Sequence, residues 1–311
     1  MEFFKKQTSI DFLGARKIAA VISGIMILIA IGSFVERGLN FGIDFTGGTL
    51  VELGYSGPAD LDHIRSVLDK SEFQGAVVQY FGSSQDVLIR LAPRKDMNNA
   101  AISNRIMDLL GGGKEQVEMR RVEFVGAQVG SELAEDGTLA MLYALGGILI
   151  YVALRFQMRF SIGAIVALIH DTTITIGFFS LTGMEFDLSV LAAVLAVIGY
   201  SLNDTIVVFD RVRESFHKLR GKTPVEVFNI SINQTLSRTI MTSFATLLVV
   251  VALFYWGGKI IHGFAAALLV GIIVGTYSSI YVASAVALAL GISREDLMPV
   301  KKEGAEQDSL P

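Results

Sequence analysis

The sequence contains no cysteine, and only four histidines and five prolines in 311 residues. Without cysteine there are no disulfides, no thiolate catalysis and no thiolate metal sites, and the redox compartment stays open. The histidines, His63, His170, His217 and His262, stand far apart and form no metal spacing such as HExxH. A phosphate-cradling GxxxxGK[ST] loop and a GxSxG nucleophile elbow are also missing. The chain therefore reads as a non-enzyme with no cofactor and no metal. Its net charge of −4 is mild, and no basic patch with interleaved aromatics appears, which argues against a nucleic-acid partner.

Charge is sparse as well, at 18% of residues against 52% hydrophobic. The apolar residues come in blocks near or above the roughly 20 needed to span a bilayer. Six spans are predicted, over 16–36, 137–154, 160–182, 188–209, 238–256 and 263–290. The first resembles a signal peptide, with Lys5, Lys6, Arg16 and Lys17 ahead of Ile18–Val35. That run is longer than a typical signal h-region and has no small-residue cleavage site, so it is read as retained. Lys and Arg crowd the N-terminus, the 155–159 turn, the 211–222 loop and the tail at Arg294, Lys301 and Lys302. The facing loops are poor in them, with no base in 183–187 and only Lys259 in 257–262. By the positive-inside rule both ends, 1–15 and 291–311, are cytoplasmic.

Residues 37–136 differ in kind, with 15 acidic and 10 basic residues over a domain's length. Strand alternation at Gly48–Leu53, Ala76–Phe81, Val87–Leu91 and Val117–Val125 is interleaved with helical periodicity at Ala59–Lys70 and Asn98–Leu110. The order β-α-β-β-α-β predicts a ferredoxin-like α+β domain outside the cytoplasm, between the first two helices of a six-helix membrane bundle. Two helices would cover one sheet face, leaving the other face or an edge strand for a partner. On the opposite side, Thr223-Pro224-Val225-Glu226 reads as a capping box. It would open a separate cytoplasmic helix, lying on the membrane lipid before the fifth span. The glycosylation-like Asn229-Ile-Ser and Asn233-Gln-Thr are discounted, being cytoplasmic.

Ionisable groups inside the spans are costly and point to function. Asp204, beside Asn203, lies about five residues from the predicted cytoplasmic end of span four, roughly 7–8 Å deep. Arg238 opens the antiparallel span five at a similar level, where an ion pair, or a pair that a proton makes and breaks, is geometrically reasonable. The plainer alternative is an anchor at the helix end, for which the short Asp side chain is poorly suited. His170 and Asp171 are near the middle of span three. Adjacent residues do not share a helix face, so they need not pair. A proton relay and helix–helix hydrogen bonding both remain open there. Gly271 and Gly275 form a GxxxG, whose plain meaning is close helix packing.

Four segments in order, "FGIDFTGGTLVEL", "ALIHDT", "GYSLNDTIVVFDRVRE" and "QTLSRTIMTS", resemble the SecF family. Its members are membrane subunits that work with SecD beside the bacterial Sec export channel. The resemblance covers essentially the whole chain. It implies a repeat of the resistance-nodulation-division (RND) type in the bacterial cytoplasmic (inner) membrane, coupling the proton-motive force to late steps of protein export. SecD, the SecYEG channel and unfolded preprotein are the implied partners, and protons the coupling ion. The carboxylate of GYSxND and the arginine of SRT, which carry proton-transport importance in that family, fall on Asp204 and Arg238. The GIDFTGG segment (Gly42, Asp44, Phe45, Gly47, Gly48) joins span one to the domain. Its two glycines permit an unusual turn able to transmit motion, though an ordinary tight turn into the first strand is also sufficient. Two other classes stay open: an RND half-transporter for a small molecule or lipid, and a non-transporting scaffold.

Overall fold

The computed structural model describes residues 8–94, 97–111 and 116–293. Lys5, Lys6, Arg294, Lys301 and Lys302, which helped to set the expected orientation, lie outside the described residues. A 3-10 turn at Leu13–Ala15 leads into α1 (Arg16–Arg37). After a short strand β1 (Asn40–Phe41) and one turn of helix α2 (Ile43–Thr46), the chain enters a sheet built from β2 (Gly48–Tyr55), β3 (Val77–Phe81), β4 (Ser83–Leu91) and β5 (Val117–Val125). Helices α3 (Leu61–Asp69) and α4 (Asn99–Leu110) connect them. The rest is helical: α5 (Ala127–Arg155), α6 (Met158–Thr182), α7 (Leu188–Lys218), α8 (Pro224–Trp256), α9 (His262–Ser278), a π-helical turn at Ser279–Ala283, and α10 (Ser284–Ala289). A two-residue strand, β6 (Glu185–Phe186), pairs in parallel with β1 between α6 and α7.

Among the described residues six helical stretches are long and apolar enough to cross a membrane. The chain is a multi-pass helical membrane protein. Three helices exceed their predicted lengths. α5 begins at Ala127 rather than 137, because its polar first turns (Glu132, Glu135, Asp136) lower hydropathy without ending the helix. α7 runs to Lys218, beyond 209. The capping box at Thr223 and Glu226 is present, with the Glu226 amide 3.3 Å from Thr223 Oγ1 and the Thr223 amide 2.8 Å from the Glu226 carboxylate. It opens no separate surface helix, however: α8 is unbroken for 33 residues, about 50 Å. Its apolar face of Phe228, Ile232 and Leu236 packs in one core with Phe209, Val212 and Phe216 of α7, rather than on lipid.

That long pair also holds the segment before α1. Asn233 accepts from the Ile10 amide at 2.9 Å and donates to its carbonyl at 2.8 Å, while Asn229 accepts from the Leu13 amide at 3.0 Å. The glycosylation-like asparagines are thus backbone clamps. In α9 a Cβ on Gly275 would lie 3.0 Å from Ser201 Cβ, and one on Gly271 would strike Val197, so the GxxxG seats α9 directly on α7.

The sheet is antiparallel in the order β3-β4-β2-β5, with Val51 opposite both Ile89 and Val122. Val51, Leu53, Val87 and Ile89 face Ile64, Leu68, Ile102 and Ile106 of the two helices in a fully apolar core. The expectation of an open second face is corrected. Leu50 and Leu88 of that face are buried with Ile43, and Glu52 and Asp86 are tied to the α8–α9 loop. The sheet therefore sits against the chain's own bundle.

Candidate functional site: two buried carboxylates and a joint

Asp171 and Asp204 lie on neighbouring helices and are both buried, at 1% and 3% exposure. Their surroundings are opposite. Asp171 Oδ1 is 2.8 Å from His170 Nδ1. Its Oδ2 accepts from Ser278 Oγ of α9 at 2.6 Å and from Ser201 Oγ of α7. His170 Nε2 reaches Ser23 Oγ of α1 at 3.1 Å, and that hydroxyl is 3.0 Å from Tyr277 OH, which donates to the Ala19 carbonyl at 2.7 Å. His170 and Asp171 do pair, although adjacent residues point about 100° apart on a helix. α6 is wrapped by α1, α7 and α9, so two neighbouring directions are both interior. Sequence reading found the acid and the imidazole but missed Ser23, Ser201, Tyr277 and Ser278. Hydroxyls are common in apolar helices, where they bond their own backbone, and only the fold separates these four from the rest.

Asp204 shares a face of α7 with Ser201, one turn away, yet its Oδ2 has no hydrogen-bond partner among the described residues. The expected contact pair with Arg238 is absent: no ion pair within 4.0 Å links them among the described residues, although Arg238 does act on Asp204 through space. Asn203 and Arg238 are both exposed, on α7 and α8. A bare buried carboxylate, an amide and a guanidinium thus stand at the flank of the bundle.

The GIDFTGG segment forms a joint rather than a plain turn. Gly47 and Gly48 adopt φ of +66° and +127°, which favour glycine. A Cβ on Gly47 would lie 2.8 Å from Ala127 Cα, and one on Gly130 would lie 2.7 Å from the Gly47 amide nitrogen, so α5 crosses the segment backbone to backbone. Asp44 accepts from the Leu188 amide at 3.1 Å, while Asp187 accepts from Val190 at 2.8 Å. Two carboxylates therefore satisfy two of the open N–H groups at the start of α7, where the helix dipole favours negative charge. Phe45 stacks on Phe186 with ring centroids 6.2 Å apart, and the Gly42 amide donates to the Phe186 carbonyl at 2.9 Å. The helix that carries Asp204 is thus capped from the segment that enters the sheet.

A second tie was not foreseen. Lys259 places Nζ 2.8 Å from Glu52 and 3.0 Å from Asp86, over the Phe81 ring at 4.9 Å. Burial works against the Asp86 charge, but hydrogen bonds from Lys259 and Ser83, with the Lys259 and Arg120 charges, hold its carboxyl below the ordinary range. Between sheet and bundle is a cavity of about 620 Å³ lined by Gln79, Arg121, Glu123, Glu185 and Lys259, among others. Burial pushes the Glu185 carboxyl up, with Arg90 opposing and the acids Asp187, Asp44 and Glu123 reinforcing. Among the described residues no cluster of three His, Asp or Glu is arranged to hold a metal ion.

Residues 106–293 match the family described as "Protein export membrane protein SecD/SecF, C-terminal", and residues 32–59 match the "SecD/SecF GG Motif". The chain is 53% identical over 313 residues to the protein translocase subunit SecF of Vibrio alginolyticus, covering 100% of this chain and 99% of that one. The chain belongs to the SecF family of protein translocase subunits. The SecF of Pseudomonas aeruginosa is 49% identical over 300 residues, covering 96% of this chain and 97% of that one. Among solved structures, SecDF from Thermus thermophilus, a translocon-associated membrane protein, superposes with a TM-score of 0.82 at 38% identity. The match covers 93% of this SecF-family chain but 39% of the SecDF chain. The relatives are named as protein translocase subunits, and the segment of this chain matched by the glycine motif includes the joint at Gly47 and Gly48.

Proposed function

We propose that this chain is the SecF half of a SecD–SecF complex in the bacterial cytoplasmic (inner) membrane, using the proton-motive force to assist late steps of preprotein translocation through the SecYEG channel. The observation that carries the reading is Asp204: a buried carboxylate whose Oδ2 has no hydrogen-bond partner among the described residues, near an exposed Arg238 that makes no ion pair with it there. A static bridge would be closed. An open pair is what a proton can make and break, because protonation changes both the charge and the preferred neighbours of the acid. Each proton crossing the potential supplies about 2.3 kcal/mol per 100 mV. The capped start of α7 at Asp44 gives a rigid route from that helix to the sheet.

In this reading the sheet is a ferredoxin-like domain outside the cytoplasm, a description that its β3-β4-β2-β5 order supports. Both termini are cytoplasmic, and the six spans are one RND-type repeat completed by SecD, the named partner half of the matched SecDF chain. Unfolded preprotein and membrane lipid complete the surroundings, with the proton as coupling ion. The test is export into vesicles under an imposed proton gradient. Asp204→Asn assembles normally and loses proton-coupled stimulation. Asp204→Asn/Arg238→Gln assembles and stays inactive, since nothing titrates. Substantial rescue by the double variant would make Asp204 structural and sink the mechanism.

A further inference from the structure

The hydrogen-bond chain around His170 carries a proton count. Tyr277 has one hydroxyl proton, and the Ala19 carbonyl, which can only accept, takes it at 2.7 Å. The 3.0 Å contact between Ser23 and Tyr277 must then be bridged by the Ser23 proton, pointing at the phenol oxygen. With its own proton spent, Ser23 Oγ can only accept at the 3.1 Å contact with His170 Nε2, so Nε2 bears hydrogen. At the other nitrogen, the 2.8 Å contact between Nδ1 and Asp171 Oδ1 needs a proton between them, on one atom or the other. Ser201 donates to Oδ2, and the single proton of Ser278, which lies 2.6 Å from Oδ2 and 3.1 Å from the Gly275 carbonyl, serves the shorter contact, so Oδ2 needs no proton of its own.

We infer that the His170–Asp171 pair is a proton-binding site that holds one proton more than a neutral imidazole beside a carboxylate, so that its net charge is zero. Whether written as imidazolium with carboxylate or as imidazole with carboxylic acid, the count is the same. The surroundings favour this occupancy. Ser23, His170 and Asp171 are exposed by only 7%, 2% and 1%. No Lys or Arg of α1, α5, α7, α9 or the π turn bonds to either group among the described residues. The other titratable groups near it are Tyr277 and Tyr281, whose rings are 5.2 Å apart, and Asp204 one turn along α7 from Ser201. An acid stripped of its proton here would be an uncompensated charge at membrane depth.

Loss of the proton to water leaves Nε2 bare and Nδ1–H on the carboxylate, with a net charge of −1. Ser23 then turns its O–H from Tyr277 to Nε2, and the Tyr277–Ser23 contact loses its hydrogen. One proton thereby reorients the Ser23 hydroxyl of α1, which links His170 of α6 to Tyr277 of α9, just ahead of the π turn at Ser279–Ala283. π turns recur at functional sites. Use of this proton in transport rests on the proton-driven reading above. The site itself rests on the contacts alone.

The test uses the full chain in lipid nanodiscs with ¹⁵N-labelled histidine, the His170 resonances being assigned by their loss in His170→Gln. At neutral pH the wild type shows Nε2 protonated. Tyr277→Phe removes the phenol oxygen, frees Ser23 to donate to Nε2, and gives a bare-Nε2 population absent from the wild type. Ser23→Ala, which leaves Nε2 without either partner, is the second variant if the first does not fold. A wild-type His170 protonated only at Nδ1, or a wild type and variant that are alike, would overturn the proposal. An intact Nε2–H signal together with export indifferent to the proton gradient would instead overturn the coupling reading and leave the proton site standing.

Discussion

Asp171 and Asp204 lie one helix apart and are equally buried, but one is saturated and the other bare. Asp171 receives hydrogen bonds from three helices of its own chain. Asp204 leaves an oxygen unsatisfied, and its nearest cation stands exposed on the flank. A buried unsatisfied carboxylate costs free energy that a fold sheds when it has no use for it. The difference separates a group bonded within this chain from one that is not, and in the proposed reading the missing partner of the second is a proton or SecD.

The largest expected effect breaks that contrast directly. Asp171→Ala strands the Ser201 donor and the His170 Nδ1 side in a dry interior, while Ser278 keeps the Gly275 carbonyl, and lowers stability by about 3–5 kcal/mol. Asp204→Ala strands nothing and changes stability by about 1 kcal/mol or less, in either direction. Thermal unfolding of both variants in one lipid system compares them. Equal losses would mean that Asp204 has partners in the folded chain and that the two sites are alike.

The same contrast shows which parts were legible in the sequence. The succession of strands and helices along the chain followed from alternation, helical periodicity and turn chemistry, which are local. The capping box at Thr223 is likewise local, and its geometry matches. The ends of α5, α7 and α8 were misplaced for a common reason: hydropathy marks where lipid begins and ends, and these helices continue past it by packing on protein. Phe228 and Ile232 have the spacing of a membrane-surface helix, and only the presence of α7 beside them makes that face a core. His170 and Asp171 stood out because charge is rare in apolar runs. Their hydroxyl partners did not, since Ser23 and Ser278 lie 147 and 107 residues away along the chain. The Lys259 tie spans 207 residues to Glu52, and no local pattern encodes such a pair.

That tie repeats the saturated case outside the membrane, with a smaller expected effect. Lys259→Ala leaves Glu52 and Asp86 facing each other without their shared cation, though Arg120 and Arg121 remain near. A loss of about 1–3 kcal/mol follows, read as faster proteolysis of the sheet with the bundle intact. The sign with pH is fixed by Asp86, whose carboxyl is held below its ordinary range. Its contribution is present above the unfolded-state value of about 3.8 and fades as pH falls through the folded one. Wild type and Lys259→Ala accordingly converge in strong acid. A gap that persists there would remove the carboxylates from the explanation.

Glu185 supplies the bare case outside the membrane, and the smallest effect. Burial raises its carboxyl, and Arg90, 3.8 Å away, only partly offsets it among the acids Asp187, Asp44 and Glu123. A carboxyl raised in the folded state binds its proton more readily folded than unfolded, so ionisation subtracts from stability at neutral pH and ceases to do so as pH falls. Glu185→Gln removes that charge and keeps the shape. Arg90 is not orphaned by the change, because it also donates to the Phe41 carbonyl and to Asn40 Oδ1. Stability rises by a few tenths to about 1 kcal/mol at neutral pH, and the gain shrinks toward zero as the medium is acidified. This slope is opposite in sign to the Asp86 contribution, so unfolding followed against pH separates the two within one protein. A loss of stability in Glu185→Gln at neutral pH would mean that the Arg90 contact outweighs burial, and would place Glu185 with the saturated carboxylates.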